Sequence, residues 1–317
     1  MPVTDRELLP PDWFLRVRLK LRHLQLFAAL DAYRNLHRAS AFLGMPQPAA
    51  SRLLSEIEEG LGVQLFERLP RGITPNIFGE VMIRRAHMIL SELGSAREEL
   101  DALTLGNTGT VRVGTVDGPA IGLIVPAVLR TRERHPLMRI DVTTGTSDVL
   151  LPMVGSGALD LALGRILGEH GPDEFVYREI GEEKLAFICR IGHALAGRAS
   201  VTLDDLGGQS WVLQPRGSLL RRRVDRFFHA HGHPSPRQVI NTRSLMMTLA
   251  FVEKSDAIGV ISRDVVTQFA GGSSIHMLPL LPDISVEPYG LILPSGRLTS
   301  PAAAVLIAAV KEEAGFL

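Results

Sequence analysis

Two short apolar stripes meeting at a corner constrain the chain most, in the stretch LHRASAFLGMPQPAASRLLSEI from Leu36 to Ile57. Leu36, Ala39 and Leu43, with Phe42 on the flank, recur at three- and four-residue steps, which puts them on one face of a helix. Gly44 follows as the stop, because a residue without Cβ takes positive φ without strain. The second helix opens across Pro46 to Pro48, where a missing N–H costs nothing in a first turn. It carries Ala50, Leu53, Leu54 and Ile57 as its buried stripe. A third helix, Leu21 to Tyr33, brings Leu24, Phe27, Ala28 and Leu30 to pack against the pair. The result reads as a helix-turn-helix, whose second helix fits a DNA major groove with its first residues at base edges. Its open face holds Gln47, Pro48, Ser51 and Arg52. Arg52 suits bidentate pairing with guanine O6 and N7, Gln47 with adenine N6 and N7, and Ser51 a phosphate or a base. Any amphipathic helix pair has such faces, but the next segment adds to the case. The strand-like runs Leu65 to Arg68 and Ile73-Thr74 flank the turn Leu69-Pro70-Arg71-Gly72, a hairpin with an arginine at its tip. Such a wing gives a second phosphate contact, so Arg38, Arg68 and Arg71 join the candidate DNA-contacting residues.

Composition narrows the class. The 317 residues, 45% of them hydrophobic, provide core for two or three domains. The longest apolar runs, such as Ala302 to Val310, reach about half of the ~20 residues a membrane helix needs, so no span and no membrane partner are expected. The opening MPVTDRELLPPDWFLRVRLK has acids and prolines where a signal peptide would have an apolar core, which makes the cytoplasm the expected location. A single cysteine, Cys189, excludes an internal disulfide and a cysteine-based metal cluster, and a buried inert thiol is expected. The formal net charge of zero hides a gradient: Trp13 to Met88 holds eleven Arg and Lys against six Asp and Glu. A basic front end on a neutral or acidic body suits one module on DNA and another with a different task. Residues 1–20 read as an extension in which Arg16, Arg18, Lys20 and Arg22 serve either as backbone contacts to DNA or as a solvated face.

Thr74-Pro75 reads as an N-cap and first-turn proline, followed by a helix of about 30 residues ending near Leu105, against an average of ~12. Ile83, Ala86, Leu90, Leu93, Leu100 and Leu103 form a narrow three–four stripe, interrupted by Arg97. A stripe of this kind pairs with a copy of itself, with Leu90 and Leu93 in the seam, or else packs as a core helix of the next domain. The Gly106-Asn107-Thr108-Gly109 hinge closes this part.

Beyond the hinge the pattern alternates between strand and helix, which predicts parallel sheet covered by helices. Strands are expected at Val111 to Val116, Ile140 to Thr144, Leu159 to Leu163, Phe175 to Ile180, Leu185 to Cys189, Trp211 to Leu213, Val239 to Asn241, Ala257 to Ile261, Ile275 to Leu278 and Tyr289 to Leu293. Helices are expected at Ile121 to Arg134, Asp148 to Val154, Leu219 to His231, Ser244 to Glu253 and Pro301 to Ala314. About 200 residues of α/β structure is large for one sheet, so two lobes with a ligand cleft follow. Small polar residues recur at the strand ends, where helix N-termini suit anions and hydroxyls. Asp117 and Gly118, Thr146 and Ser147, Arg216 and Ser218, then Thr242, Arg243 and Ser244, with Arg165 closing ALGR, are the candidate effector-binding residues. Hydroxyls with both signs of charge suit a polyol or hydroxylated acid better than a bare aromatic ring. No catalytic, cofactor or metal set emerges. Gly114, Gly118 and Gly122 lack the dinucleotide spacing, no phosphate loop, G-x-S-x-G or H-E-x-x-H occurs, and His229, His231 and His233 sit where a helix ends.

The residues Leu21-Arg22-His23-Leu24, Gln47-Pro48-Ala49 with Ser51-Arg52, and Leu61 through Arg68 resemble the N-terminal signature of the LysR-type transcriptional regulators. The likeness continues through Leu159-Asp160-Leu161-Ala162, His193-Ala194-Leu195-Ala196 and Val201 to Leu206. It implies a winged helix-turn-helix at residues 21–75 and a dimerising linker helix at 76–105. A two-lobed effector domain of the type II periplasmic-binding-protein kind would follow, with 110–165 plus 266–317 as its first lobe and 166–265 as its second. It further implies a homodimer or homotetramer, an operator in double-stranded DNA, a small-molecule inducer, an activator's role and RNA polymerase as a further partner. The extended N-terminus and the ALGR ending are most similar to regulators of sugar-uptake and aromatic-acid catabolic genes. Pro46 departs from the serine cap usual in the family, and Thr74 to Gly79 is longer than its usual stretch to the glycine. The alternative is a stand-alone small-molecule binder or an enzyme on the same two-lobed fold, which would leave the residues before Gly106 without a purpose.

Overall fold

A computed structural model describes residues 13–16, 18–70, 72–105, 109–168, 174–269 and 274–315. They form two compact units, one ending at Leu105 and one beginning after it, with Gly155–Ala158 grouped with the first.

In the first unit a short α1 (Trp13–Arg16) forms within the expected extension, and α2 (Leu21–Tyr33), α3 (Leu36–Phe42) and α4 (Gln47–Leu61) follow the apolar periodicity closely. Asn35 caps α3 by accepting the Arg38 N–H at 3.0 Å, whereas Pro46 leaves α4 with no side-chain cap. Gly44 and Gly62, at φ 64° and 65°, turn the chain out of α3 and α4 in the left-handed conformation. Leu24, Leu26, Phe27, Leu30, Ala39, Ala50, Leu54 and Ile57 form one buried core. His23 lies in it: its Nδ1 accepts the Lys20 N–H at 2.9 Å, and burial pushes its pKa down. The wing follows as β1 (Phe66–Leu69) paired antiparallel with β2 (Gly72–Pro75). Its tip residue Arg71 lies outside the described residues, as do 1–12 of the N-terminal extension and 106–108 of the hinge.

The linker helix α5 (Ile77–Leu105) starts later than the sequence suggests. Thr74 and Pro75 are held extended by pairing with Glu67 and Phe66, so neither caps it. Asn76 does. Its Oδ1 accepts the N–H groups of Phe78 and Gly79 at 3.0 and 3.1 Å, and its Nδ2 donates to the Gln64 carbonyl at 2.8 Å. Gly79 is required because a Cβ there would overlap the Leu65 carbonyl oxygen. Glu58, late in α4, completes the corner by accepting the Leu65 and Phe66 N–H groups at 2.7 and 3.2 Å.

In the second unit, β3 (Thr110–Thr115) runs into a continuous helical stretch. This comprises α6 (Asp117–Pro119), a π turn (Ala120–Ile124) and α7 (Val125–Arg134), and it starts four residues before the expected Ile121. Then come β4 (Arg139–Thr144), α8 (Ser147–Ser156), β5 (Leu161–Gly164) and β6 (Phe175–Arg190). The next set is β7 (Ser210–Leu213), α9 (Leu219–Ala230), β8 (Gln238–Asn241), α10 (Leu245–Glu253) and β9 (Ile258–Ser262). The chain closes with α11 (Arg263–Phe269), β10 (Ile275–Met277), β11 (Ile284–Pro294) and α12 (Pro301–Glu313). Two parallel triplets, β4-β3-β5 and β9-β7-β8, are joined through β11 and β6, so the sheet is mixed rather than all parallel.

That junction corrects two expectations. The strands expected at Phe175 to Ile180 and Leu185 to Cys189 are one. The polar run Gly181 to Lys184 looks like a loop, yet its backbone stays extended because it bonds along β11, with a register shift between Val286 and Gly290. The lobe limits at Arg165 and Val266 also move. Leu167 and Phe175 pack with Leu150, Leu159 and Ile292 of the first lobe, while Val266, Leu278, Leu280 and Ile284 pack with second-lobe residues, among them Val212, Phe187 and Trp211. The chain therefore changes lobe inside β6 and β11. Cys189 is buried in the second lobe, where desolvation pushes its thiol up to about 11.

The Asn76 cap predicts a local effect. Asn76→Ala should speed hydrogen exchange of the amides at the start of α5 about fivefold in the full-length protein, the equivalent of about 1 kcal/mol for a lost cap. Thr74→Ala, at an exposed strand position, should leave the same amides unchanged.

Candidate functional site

The exposed face of α4 carries Gln47, Pro48 and Arg52, with Arg38 exposed on α3. Ser51 is not free, since its Oγ accepts from Arg68 Nη2 at 3.2 Å, which braces the wing against α4. Arg38 lies over the Tyr33 ring, 5.7 Å from its centroid. On α5 the two expected seam residues separate. Leu90 packs half-buried against the core of its own unit, next to buried Ile83 and Ala86, while Leu93 is exposed. Beyond the exposed Ile77, Phe78 and Val81 of its first turns, the large apolar residues left uncovered on α5 are Ile89, Leu93, Leu100 and Leu103, at 43%, 51%, 65% and 80% exposure, spaced by four, seven and three residues.

In the second unit a cavity of about 980 Å³ opens where the strand ends meet the starts of α8, α9 and α10. Asp117, Thr146, Ser147, Arg165, Ser218, Thr242, Arg243 and Ser244 line it, as expected from their places at strand ends. Two candidates do not. Gly118 stands behind the wall, so close to Ser262 Oγ and Glu183 Oε1 that a Cβ would meet both, and Arg216 sits exposed outside the lining. Several hydroxyls are already engaged. Ser218 and Ser244 cap α9 and α10 by accepting the Arg221 and Met247 N–H groups, Thr242 accepts the Ser244 N–H, and Ser147 accepts the Arg165 N–H at 3.0 Å.

Arg165 is also committed. Its Nη2 lies 2.8 Å from Glu183 Oε2, with both side chains under a tenth exposed, and its Nε donates to the Glu287 carbonyl. Two of its five N–H donors are thus taken by the protein, and its charge is balanced by Glu183. Glu183 and Ser262 both line the cavity and were missed. Glu183 hid in the polar run read as a loop, and Ser262 lies one residue past the expected end of β9. The strand-end rule that found Thr146 would have found Ser262 had that strand been read to its last residue. Two buried hydroxyls in the lining, Thr146 Oγ1 and Ser262 Oγ, have no partner. Asp117 has its pKa raised, first by burial and then by the charge of Glu183. His229, His231 and His233 take separate partners: Ser235, the Phe227 carbonyl and, at 3.8 Å, Asp204. Among the described residues no group of His, Cys, Asp and Glu could hold a metal ion, and no helix is long and apolar enough to cross a membrane.

Comparison with known proteins accounts for both units. The family description "Bacterial regulatory helix-turn-helix protein, lysR family" matches residues 21–80, and "LysR substrate binding domain" matches residues 105–315. The transcriptional regulator GbpR of Azospirillum brasilense is 47% identical over 304 residues, covering 95% of this chain and 89% of that protein. The regulator PcaQ of Agrobacterium fabrum is 30% identical over 300 residues, covering 95% and 96%. Among solved structures, CbnR, a LysR family transcriptional regulator, superposes with a TM-score of 0.62 at 23% identity over 93% of this chain and 99% of that one. A full-length OxyR variant from Pseudomonas aeruginosa gives 0.60 at 18% identity over 92% and 95%. The chain belongs to the LysR family, as a DNA-binding transcriptional regulator with a C-terminal effector-binding domain.

Proposed function

We propose that α4 reads operator base edges through Gln47 and Arg52, that α5 joins two copies through its uncovered apolar stripe, and that the cavity holds the inducer. The observation that carries this reading is the pairing of an exposed, cation-bearing α4 face with a wing arginine tied back to it. That arrangement presents base-reading and phosphate-binding groups on one surface. Arg68, Arg38 and Arg71 would add sequence-independent phosphate contacts. Full-length CbnR has been solved in complex with its target DNA, which supports the same use of the fold here. The uncovered Ile89, Leu93, Leu100 and Leu103 of α5 are spaced by four, seven and three residues, compatible with a two-helix seam that skips one position at Arg97, and a two-fold dimer would match a two-fold operator. We read the second unit as a binding site that performs no chemistry. Its lining offers hydroxyls and a committed ion pair rather than a nucleophile with a base. Acting on DNA, the protein would work in the cytoplasm.

An inducer can switch the protein only through different affinities for its two arrangements, so its binding must favour one spacing of the two DNA-reading helices. Arg52→Ala should weaken operator binding about tenfold to a hundredfold, matching about 1–3 kcal/mol for a bidentate base contact, with little change on unrelated DNA. Fluorescence anisotropy at one fixed salt concentration measures this, and an unchanged operator affinity would remove α4 from the base-reading role. Leu93→Asp together with Leu100→Asp should convert the protein to monomers and abolish tight binding to a paired half-site. Leu90 is left intact because it serves the core of its own unit. Analytical ultracentrifugation of the double variant decides the point, and a persisting dimer would place the seam elsewhere.

A further inference from the structure

The inner wall of the cavity carries an unusual balance of charge. Its one buried cation, Arg165, is neutralised by Glu183 and additionally held by the Glu287 carbonyl. That leaves Asp117, and among the described residues no cation pairs with it. Ser262, 3% exposed, has an Oγ without a partner, and so does the buried Oγ1 of Thr146. Arg222 and Arg243 line the cavity too, but both are exposed at its rim. The capping serines of α9 and α10 each already accept one of the backbone N–H groups at these helix starts.

Resting on the effector reading above, we infer that the cavity selects an uncharged polyhydroxylated molecule of the monosaccharide class, and that Asp117 is the residue that rejects carboxylate-bearing ligands. Buried hydroxyls without partners are costly, and each can both donate and accept, so the groups that satisfy Thr146 and Ser262 best are other hydroxyls. A carboxylate on two adjacent sugar hydroxyls accepts two hydrogen bonds in one plane, which gives Asp117 the partners that the protein withholds. A ligand carboxylate in the same place would add a negative charge beside Asp117 and Glu183 in a water-poor wall, where like charges repel strongly. Burial first, and the charge of Glu183 second, already raise the pKa of Asp117. Ile121, Val149 and Met246 supply apolar surface for the C–H face of a sugar ring.

The test is isothermal titration of the full-length protein with a set of neutral aldohexoses and aldopentoses, the matching uronates, and 4-hydroxybenzoate. The set is repeated on Asp117→Asn and Ser262→Ala, and operator binding serves as the check that each variant is folded. At least one neutral sugar should bind, and its uronate should bind at least about tenfold more weakly. Asp117→Asn should weaken the neutral sugar by a similar factor and narrow the gap to the uronate. A wild-type protein that binds a uronate or 4-hydroxybenzoate more tightly than any neutral sugar, or binds no neutral sugar, would overturn the ligand class. If the acid's affinity still responded to both variants, the cavity would remain the effector site. If instead a sugar bound and neither variant changed its affinity, the cavity itself would be the wrong site.

Discussion

Arg165 and Glu183 meet 2.8 Å apart, both almost out of contact with solvent, and most of the second unit's geometry is referred to that pair. Arg165 follows β5 in the first lobe, Glu183 sits in the middle of β6, and the guanidinium Nε donates to the Glu287 carbonyl in β11. One side chain thus ties a lobe to both strands that leave it. Taking two charges out of water gains little net stability, but breaking such a pair leaves one charge stranded at a cost of about 3–5 kcal/mol. Its role is to specify geometry. It also balances the one buried positive charge in the cavity wall.

In the first unit the comparable constraint is the corner where α4, the wing and α5 meet. Glu58 takes two backbone N–H groups of the wing, Asn76 takes two from α5 and donates to the Gln64 carbonyl, and Gly79 lets the helix touch the Leu65 carbonyl. The stretch from Thr74 to Gly79 is accommodated by keeping Thr74 and Pro75 in the strand. The direction in which α5 leaves is therefore fixed within its first turn.

What could be read from the sequence was local. Helices α2, α3 and α4 are set by three- and four-residue periodicity and by Gly44, signals contained within a dozen residues, and the strand ends bearing Thr146, Ser147 and Ser244 are turn chemistry. What escaped was non-local. Nothing near Gly181 to Lys184 says that this polar run stays extended, because its partner strand lies a hundred residues further on in β11. Glu183 was hidden for that reason, and with it the fact that Arg165 is neutralised. Leu90 looks like its neighbour Leu93 in the heptad pattern, and only the packing of α5 on its own unit separates them.

The two strands that cross between the lobes act together as a flat spring. Hydrogen bonds along β6 and β11 resist sliding of one strand past the other, and the register break between Val286 and Gly290 is where the ribbon departs from a regular ladder, as a bulge that bends a strand does. Gly290 lies against the Arg178 carbonyl and the Tyr177 ring at a distance only a hydrogen can fill, so the ribbon stays thin there. A molecule that drew the lobes together would have to bend this ribbon, since sliding its strands would break their hydrogen bonds.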